Sequence, residues 1–402
     1  MSNPSKTGRD WAAFYLNLSR TGGEVVAYRL AGRPAFLVNS PAHAARVLEE
    51  RESNYVSPAH PYRELAGLYT SEGASLMRLE RAGAEGGAAH ERGARTLAEA
   101  GERAAVSFCE LSEAGPFNVE FETKKLMFEV VARLLFGVNA SHLAGEFVSA
   151  VAFAEECWAQ GLYQTPSAVP DASEQRYLDS LKRQDATAGW IAREAGASLE
   201  DGDVPPQTRG NVSRTLLNGY HATAATLCWT LHLLARHPAT LAALQAEVDR
   251  SDAHGPAQES DPPRLLRAVL LESLRLYPPA WILTRQAAAD ERLGGTEIPA
   301  GSAVSVSPYA MHRLPWLWER AEEFLPERFL KGRPSEPFAY LPFGAGARRC
   351  PASNVAVKHL HVLLAALLRR CRIEPAGDET VRPRGLISLR PEPCVRLRFK
   401  RR

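Results

Sequence analysis

Phe343-Gly344-Ala345-Gly346-Ala347-Arg348-Arg349-Cys350-Pro351-Ala352 is the stretch that decides how the rest of the chain reads. Its two glycines and small alanines let the backbone approach something flat and close, because no large side chain stands in the way. Cys350 sits at the start of an apolar helical pattern running from Ala352 to Arg370. Unpaired N–H groups and the positive end of the helix dipole there favour thiolate over thiol, lowering the pKa from about 8.5. Arg348 and Arg349 add positive charge. From the residues alone, an electropositive thiolate of this kind is a nucleophile or a metal ligand. A nucleophile would want a histidine partner, and no motif marks one.

Working outward, the chain from Pro308 to Phe343 is irregular, punctuated by Pro315, Pro326, Pro334, Pro337 and Pro342. Long loops of this kind tend to be functional. Before it lies Glu272-Ser273-Leu274-Arg275, inside a helical pattern from Pro263 to Tyr277. At i and i+3 the two charges share a helix face and can pair, which by itself is common on protein surfaces. Pro326-Glu327-Arg328-Phe329, between that pair and the cysteine loop, supplies a second arginine. Together the three can form a buried ionic cluster, which tolerates desolvation only when every member is present.

The 402 residues are 45% hydrophobic and 23% charged, which excludes disordered, collagenous and disulfide-scaffold classes. Forty-eight basic against 46 acidic side chains leave a net charge of +2, too balanced for nucleic acid as the main partner. The six cysteines are scattered without a CxxC pair, so neither structural disulfides nor a zinc cluster is expected. No apolar run approaches the ~20 residues of a membrane span, and no leader is visible, so a cytoplasmic protein without a membrane span is expected. The patterns predict helices at Trp11–Arg20, Pro41–Glu50, through much of 76–197, and at Asn211–Arg236. A hairpin is expected at Val25–Leu37, short strands between Trp281 and Ser307, and a strand pair within Leu386–Phe399.

With the Glu-x-x-Arg helix, the Pro-Glu-Arg-Phe segment and the Phe-x-x-Gly-x-Arg-x-Cys loop in this order, the chain strongly resembles a cytochrome P-450 of the soluble bacterial type. Similarity extends to Trp281–Arg285, His312–Phe329, Asn54-Tyr55-Val56, the N-terminal hairpin and the helix ending at His237-Pro238, so it covers nearly the whole chain. The resemblance implies a mainly α fold with small β-sheets, one domain over residues 1–402, and haem b between the long central helix and the cysteine-loop helix. Cys350 matches the axial ligand, whose thiolate donates electron density to iron. In the same loop Phe343 matches the aromatic beside the sulfur, Gly344 lets backbone approach the haem, and Arg348 matches a partner of a haem propionate. Arg285 falls where a second propionate partner commonly stands. Glu272, Arg275 and Arg328 match a structural triad beneath the haem, with a role in folding. Ala352 replaces a usual glycine, a departure of one methyl. The family's helix before the haem carries an aromatic donor followed by arginine; here the donor is missing, and Arg78 or Arg81 substitutes or simply faces solvent.

The sharper departure is in the central helix, Asn218-Gly219-Tyr220-His221-Ala222-Thr223. Gly219 fits the family pattern, where its bare backbone leaves room for haem and dioxygen. The acid of the proton-relay pair has become His221 and its threonine Ala222, while Thr223 aligns with the family's second threonine. Three readings follow. His221 supplies protons itself; or no dioxygen is activated, the oxidant being peroxide or a substrate N–O or O–O bond; or a substrate group replaces the missing one. A fourth alternative turns His221 away from the haem into the protein.

Substrate is expected against Asn218, Tyr220, Trp281, Ile282, Leu283 and Ile387, with 58–68 and helices between Phe147 and Trp190 as a lid. These positions are apolar or aromatic, so a hydrophobic or aromatic small molecule is the default. The resemblance implies an oxidoreductase of bacterial specialised metabolism performing hydroxylation, epoxidation or oxidative bond formation. The alternative is a peroxygenase, or a cyclase, isomerase or nitrene-type transferase working on an N–O or O–O bond. No reductase segment is visible, so electrons are expected from a separate ferredoxin with its reductase, or from a flavoprotein. Arg349 and Lys358 are candidate docking cations for such a partner.

Overall fold

Helix start and stop signals account for most of the element order. The computed structural model describes residues 10–30, 32–56, 88–159, 171–200, 202–252, 263–332 and 336–402. Nine helices longer than a turn or two stand among these: α1 (Trp11–Ser19), α2 (Ala88–Glu113), α3 (Val119–Phe136), α4 (Ala144–Ala159), α5 (Ala172–Glu194), α6 (Pro206–Arg236), α7 (Pro238–Asp252), α8 (Arg264–Leu276) and α9 (Ser353–Arg370). The strands are β1 (Val25–Leu30), β2 (Arg33–Val38), β3 (Tyr55–Val56), β4 (Phe117–Asn118), β5 (Leu283–Ala287), β6 (Glu291–Leu293), β7 (Thr296–Ile298), β8 (Ala303–Val306), β9 (Cys371–Pro375), β10 (Arg382–Gly385), β11 (Leu389–Glu392) and β12 (Arg396–Arg401). The chain divides into two compact units.

The first unit comprises Met1–His60, Glu259–Cys350 and Val381–Pro393. Its five-stranded sheet has the order β1-β2-β8-β5-β3, with β2 parallel to β8 and the other pairs antiparallel. Ala35 to Val38 are all buried, as expected of a strand covered on both faces. Phe36, Val38, Leu48, Tyr55, Val304, Val306 and Leu341 form one core against the sheet. A second core gathers Tyr15, Trp281, Tyr309 and Leu389. Pro41–Glu50 is a short α-helix, Pro41–Ala45, continued by a π-helical turn, Arg46–Glu50, rather than a single helix.

The second unit comprises Pro61–Gln258, Pro351–Thr380 and Cys394–Arg402. Helix α6 packs against α3 and α5, and α9 against α2. Gly101 of α2 lets α9 come close: a Cβ there would lie 2.7 Å from that of Ala366. Helix α6 begins at Pro206, ahead of the expected Asn211, because proline is suited to the first helical turn, where its missing N–H costs nothing. Asp171 caps α5, accepting from the amides of Ser173 and Glu174 at 2.8 Å. The expected C-terminal strand pair is instead the β10–β11 hairpin followed by β12, which joins β4 and β9 in a three-stranded sheet. Pro393, between β11 and β12, stands where the strand run breaks. No disulfide joins the six cysteines, although the buried thiols of Cys109 and Cys371 approach to 3.3 Å. The 25-residue stretch Gly346–Arg370 does meet the length and composition of a membrane-crossing helix, contrary to expectation. Its Leu360, Leu363, Leu364 and Leu367 are buried, as in a core helix.

Candidate functional site

In the first unit, the cysteine loop is closed by short backbone hydrogen bonds. The Cys350 amide donates to Phe343 O at 2.9 Å, Gly344 to Leu341 O at 3.1 Å, and Arg349 to Gly346 O at 3.0 Å. Gly344 and Gly346 both have φ of +69°, a conformation that favours glycine. At Gly346 there is a second reason: a Cβ would fall 1.9 Å from Leu48 O in the π-helical turn. Glu52, just beyond that turn, accepts from the Ala347 amide at 3.4 Å. Cys350 and Phe343 are half-buried, while Arg348 and Arg349 are exposed.

Arg285, on β5, is 9% exposed, and its guanidinium donates to the Thr284 carbonyl at 3.1 Å. Burial first, and the nearby Arg348 charge second, push its pKa down to about 10, with Glu52 opposing. Two guanidiniums held near each other, one of them desolvated, call for an anion. A soft sulfur with adjacent cations thus fits a metal macrocycle that carries carboxylates, as haem does.

Behind the loop, Arg275 uses all five of its N–H donors. Two reach Glu272, at 2.8 Å each, and three reach the carbonyls of His312, Ala321 and Glu323 at 2.7–2.9 Å. Glu272 Oε1 also accepts from Arg328 Nε at 3.1 Å and the Leu325 amide at 2.9 Å. Glu272 and Arg275 are both 0% exposed. The two arginines lie over the Trp318 ring. His312, which the sequence reading did not single out, completes the support. Its Nδ1 lies 3.0 Å from Arg275 O, and its Nε2 accepts from the Leu341 amide at 2.8 Å, two residues before Phe343. This pairing requires the neutral ring, and burial pushes its pKa down to about 3.

The central-helix motif lies in the second unit. Among the described residues from Tyr220 to Leu231, Ala222 alone is exposed, and Asn218, one turn earlier on the same face, is half-buried. Thr223 Oγ1 donates to the carbonyls of Gly219 and Tyr220 at 2.8 and 3.0 Å, and Thr226 Oγ1 to Ala222 O at 2.9 Å. At Gly219 a Cβ would stand 3.0 Å from Val131 of α3, so its bare backbone lets the two helices pack closely. His221 is turned into the protein, its Nε2 2.6 Å from Glu155 Oε1 on α4.

Two expected substrate contacts are corrected. Tyr220 is fully buried, edge-on to the adjoining rings of Phe128 and Phe147. Trp281 is a core residue: its ring packs near Tyr15 and where a Gly385 Cβ would lie, and its Nε1 donates to Leu386 O at 2.7 Å. Ile282, Leu283 and Ile387 are half-buried. Leu283 reaches within 3.9 Å of where a Gly344 Cβ would be. Arg78, Arg81 and the segment 58–68 lie outside the described residues. Glu155 escaped the sequence reading; an acid among Ala150, Val151 and Ala154 was the signal available.

The family model described as cytochrome P450 matches residues 192–396. Cyclooctatin synthase of Streptomyces melanosporofaciens is 31% identical over 413 residues, covering 92% of this chain and 87% of that protein. Pentalenene oxygenase of Streptomyces avermitilis is 34% identical over 230 residues, 56% of this chain and 50% of that protein. Cyclooctat-9-en-7-ol 5-monooxygenase of Streptomyces melanosporofaciens is 38% identical over 192 residues, 47% of this chain and 41% of that protein. Among solved structures, the cytochrome P450DA haem domain superposes with a TM-score of 0.78 at 22% identity, covering 97% of this chain and 93% of that one. The chain belongs to the cytochrome P450 family and has the mainly α fold of its haem domains. It is accordingly a haem-dependent oxidoreductase.

Proposed function

We propose that residues 1–402 act as one cytochrome P450 domain that binds haem b through Cys350 and oxygenates a cyclic hydrocarbon or its alcohol, the kind of molecule the relatives' names specify. The observation that carries the haem assignment is the closed loop presenting Cys350 beside Arg348 and the buried, anion-seeking Arg285. When bound, the haem iron supplies the reduction and cleavage of dioxygen. The chain's residues do the rest. Cys350 would give its thiolate to the iron, and Arg285 and Arg348 would pair with the carboxylates of the haem. In the first unit Ile282, Leu283 and Ile387 offer apolar surface; in the second, Asn218 and Ala222 present an amide and a methyl on the exposed face of α6. Glu272, Arg275 and Arg328 hold the loop's support in place. Electrons come from a separate ferredoxin with its reductase or from a flavoprotein, to which the exposed Arg349 and Lys358 offer positive charge.

A second reading is favoured by one observation: the exposed face at Ala222 lacks a hydroxyl, and the hydroxyls of Thr223 and Thr226 donate to backbone carbonyls. Under it the enzyme uses peroxide, or an N–O or O–O bond of the substrate, instead of dioxygen. One experiment separates the two. Haem-loaded protein is given a panel of cyclic hydrocarbons and alcohols in three arms: reductase system with air, peroxide alone, and neither oxidant nor reductant under anaerobiosis. Oxygenation dependent on the first arm supports the leading reading. Product in the second or third arm alone supports the other.

A further inference from the structure

Ala105, Phe108, Cys109 and Ser112 share one face of α2 by their i, i+3, i+4 spacing, and that face meets the three-stranded sheet of the second unit. The Phe108 ring lies 5.1 Å from that of Phe399 on β12 and 5.4 Å from that of Phe117 on β4. Ser112 Oγ accepts from the Phe399 amide at 2.8 Å. In the same seam Cys109 Sγ lies 3.3 Å from Sγ of Cys371, the first residue of β9, across 262 positions of sequence. Cys371 Sγ donates its hydrogen to Ala105 O at 3.4 Å, so the hydrogen between the two sulfurs is that of Cys109. A disulfide is about 2.05 Å long, so roughly 1 Å of travel separates this dithiol from one. Cys109 is 5% exposed and Cys371 0%. Burial first, and the neighbouring sulfur second, push the Cys371 pKa up, with Arg370 and Arg401 opposing. Cys371 is thereby kept as the thiol, and Cys109 is the sulfur that an oxidant meets first. Strand β9 is an edge of its sheet, held by hydrogen bonds to β12 on one side only, so the seam can open locally without unfolding the unit.

We propose that Cys109 and Cys371 form a modification site: hydrogen peroxide converts the pair into a disulfide that locks α2 to β9, and thiol reductants release it. The Cys109 sulfur attacks one peroxide oxygen, the O–O bond breaks, and Cys109 becomes a sulfenic acid as one water leaves. The Cys371 sulfur then attacks the Cys109 sulfur. The S–O bond breaks, and the departing hydroxyl takes the Cys371 proton as a second water. In sum the two thiols give up two electrons and two protons, and peroxide is reduced to two waters. A bond between positions so far apart restricts the unfolded chain, so the oxidised form resists unfolding more than the reduced one.

The test holds haem-loaded wild type in peroxide under native conditions, quenches it with catalase, denatures it in an alkylating agent and digests it without reductant. Mass spectrometry is expected to find the Cys109 and Cys371 peptides joined, lighter by two hydrogens, and separate again after dithiothreitol. In Cys371→Ser the first step has no second sulfur to follow it, so dimedone, which captures sulfenic acids, is expected to mark Cys109. In Cys109→Ser, Cys371 is expected as the alkylated free thiol. Oxidised wild type should unfold at a higher denaturant midpoint than reduced wild type, and the difference should vanish in either variant. Both peptides recovered as free thiols from native protein overturn the proposal, as does a link that forms only when peroxide is added to unfolded protein. Pairing of either cysteine with a different one overturns it too, and an unchanged midpoint overturns the lock. The peptide map of wild type stands without the variants, so a serine variant that fails to fold leaves the proposal open to refutation.

Discussion

Single residues fix the platform under the cysteine loop, and His312 shows how. Its ring accepts from the Leu341 amide, which a protonated ring cannot do, and its folded pKa of about 3 lies below the ordinary 6.5. Between those values the unfolded chain binds the extra proton, so this stability is complete above pH 6.5 and is lost as pH falls toward 3. At 1.36 kcal/mol per pKa unit, acidification from pH 6.5 to 5 costs about 2 kcal/mol through this group. Unfolding curves of wild type and His312→Gln at the two pH values check it: the variant, weaker at pH 6.5, loses less on acidification, whereas parallel losses would refute the assignment. Glu272 is the other decisive residue. Glu272→Gln leaves Arg275 buried without its countercharge and should cost about 3–5 kcal/mol, read as a lower denaturant midpoint and poor haem retention. A variant of wild-type stability would show the cluster to be dispensable.

At the scale of elements, the π-helical turn and the cysteine loop are built against each other. Gly346→Ala forces a Cβ into the Leu48 carbonyl at a positive φ, so the loop must shift, at a cost of roughly 1–3 kcal/mol for the backbone conformation alone. The expected outcome is folded protein with reduced haem occupancy, measured as the ratio of haem to protein absorbance; full occupancy would contradict it. On α6, Ala222→Thr adds a hydroxyl to the exposed face. If the oxidant is peroxide or a substrate N–O or O–O bond, oxygen-dependent turnover changes little. A large gain in product per electron would mean that the missing hydroxyl is the limiting defect. These elements also mark what could be read in advance. The cysteine loop and the Glu-x-x-Arg pair are local patterns, whose spacing carries their chemistry. The partners of Tyr220 and Trp281 are not local. The Phe128–Phe147 pair and Tyr15 lie far off in sequence, so packing positions there passed for pocket positions. Glu155 was invisible for the same reason, since it sits on a different helix from His221, which it approaches.

At the scale of the whole molecule, the mainly α fold with small sheets follows from helical periodicity and proline punctuation, and the family's haem domains share it. The C-terminal strands were harder to read, because β12 pairs with β4 and β9 from opposite ends of the second unit's sequence. What ties the fold to chemistry is the thiolate, and the most direct measurement is the absorption spectrum of the reduced carbon monoxide complex for wild type and Cys350→Ser. Wild type is predicted to give the red-shifted Soret band of a thiolate-ligated haem and Cys350→Ser to lack it. Persistence of that band in the serine variant would contradict the assignment of Cys350 as the iron ligand.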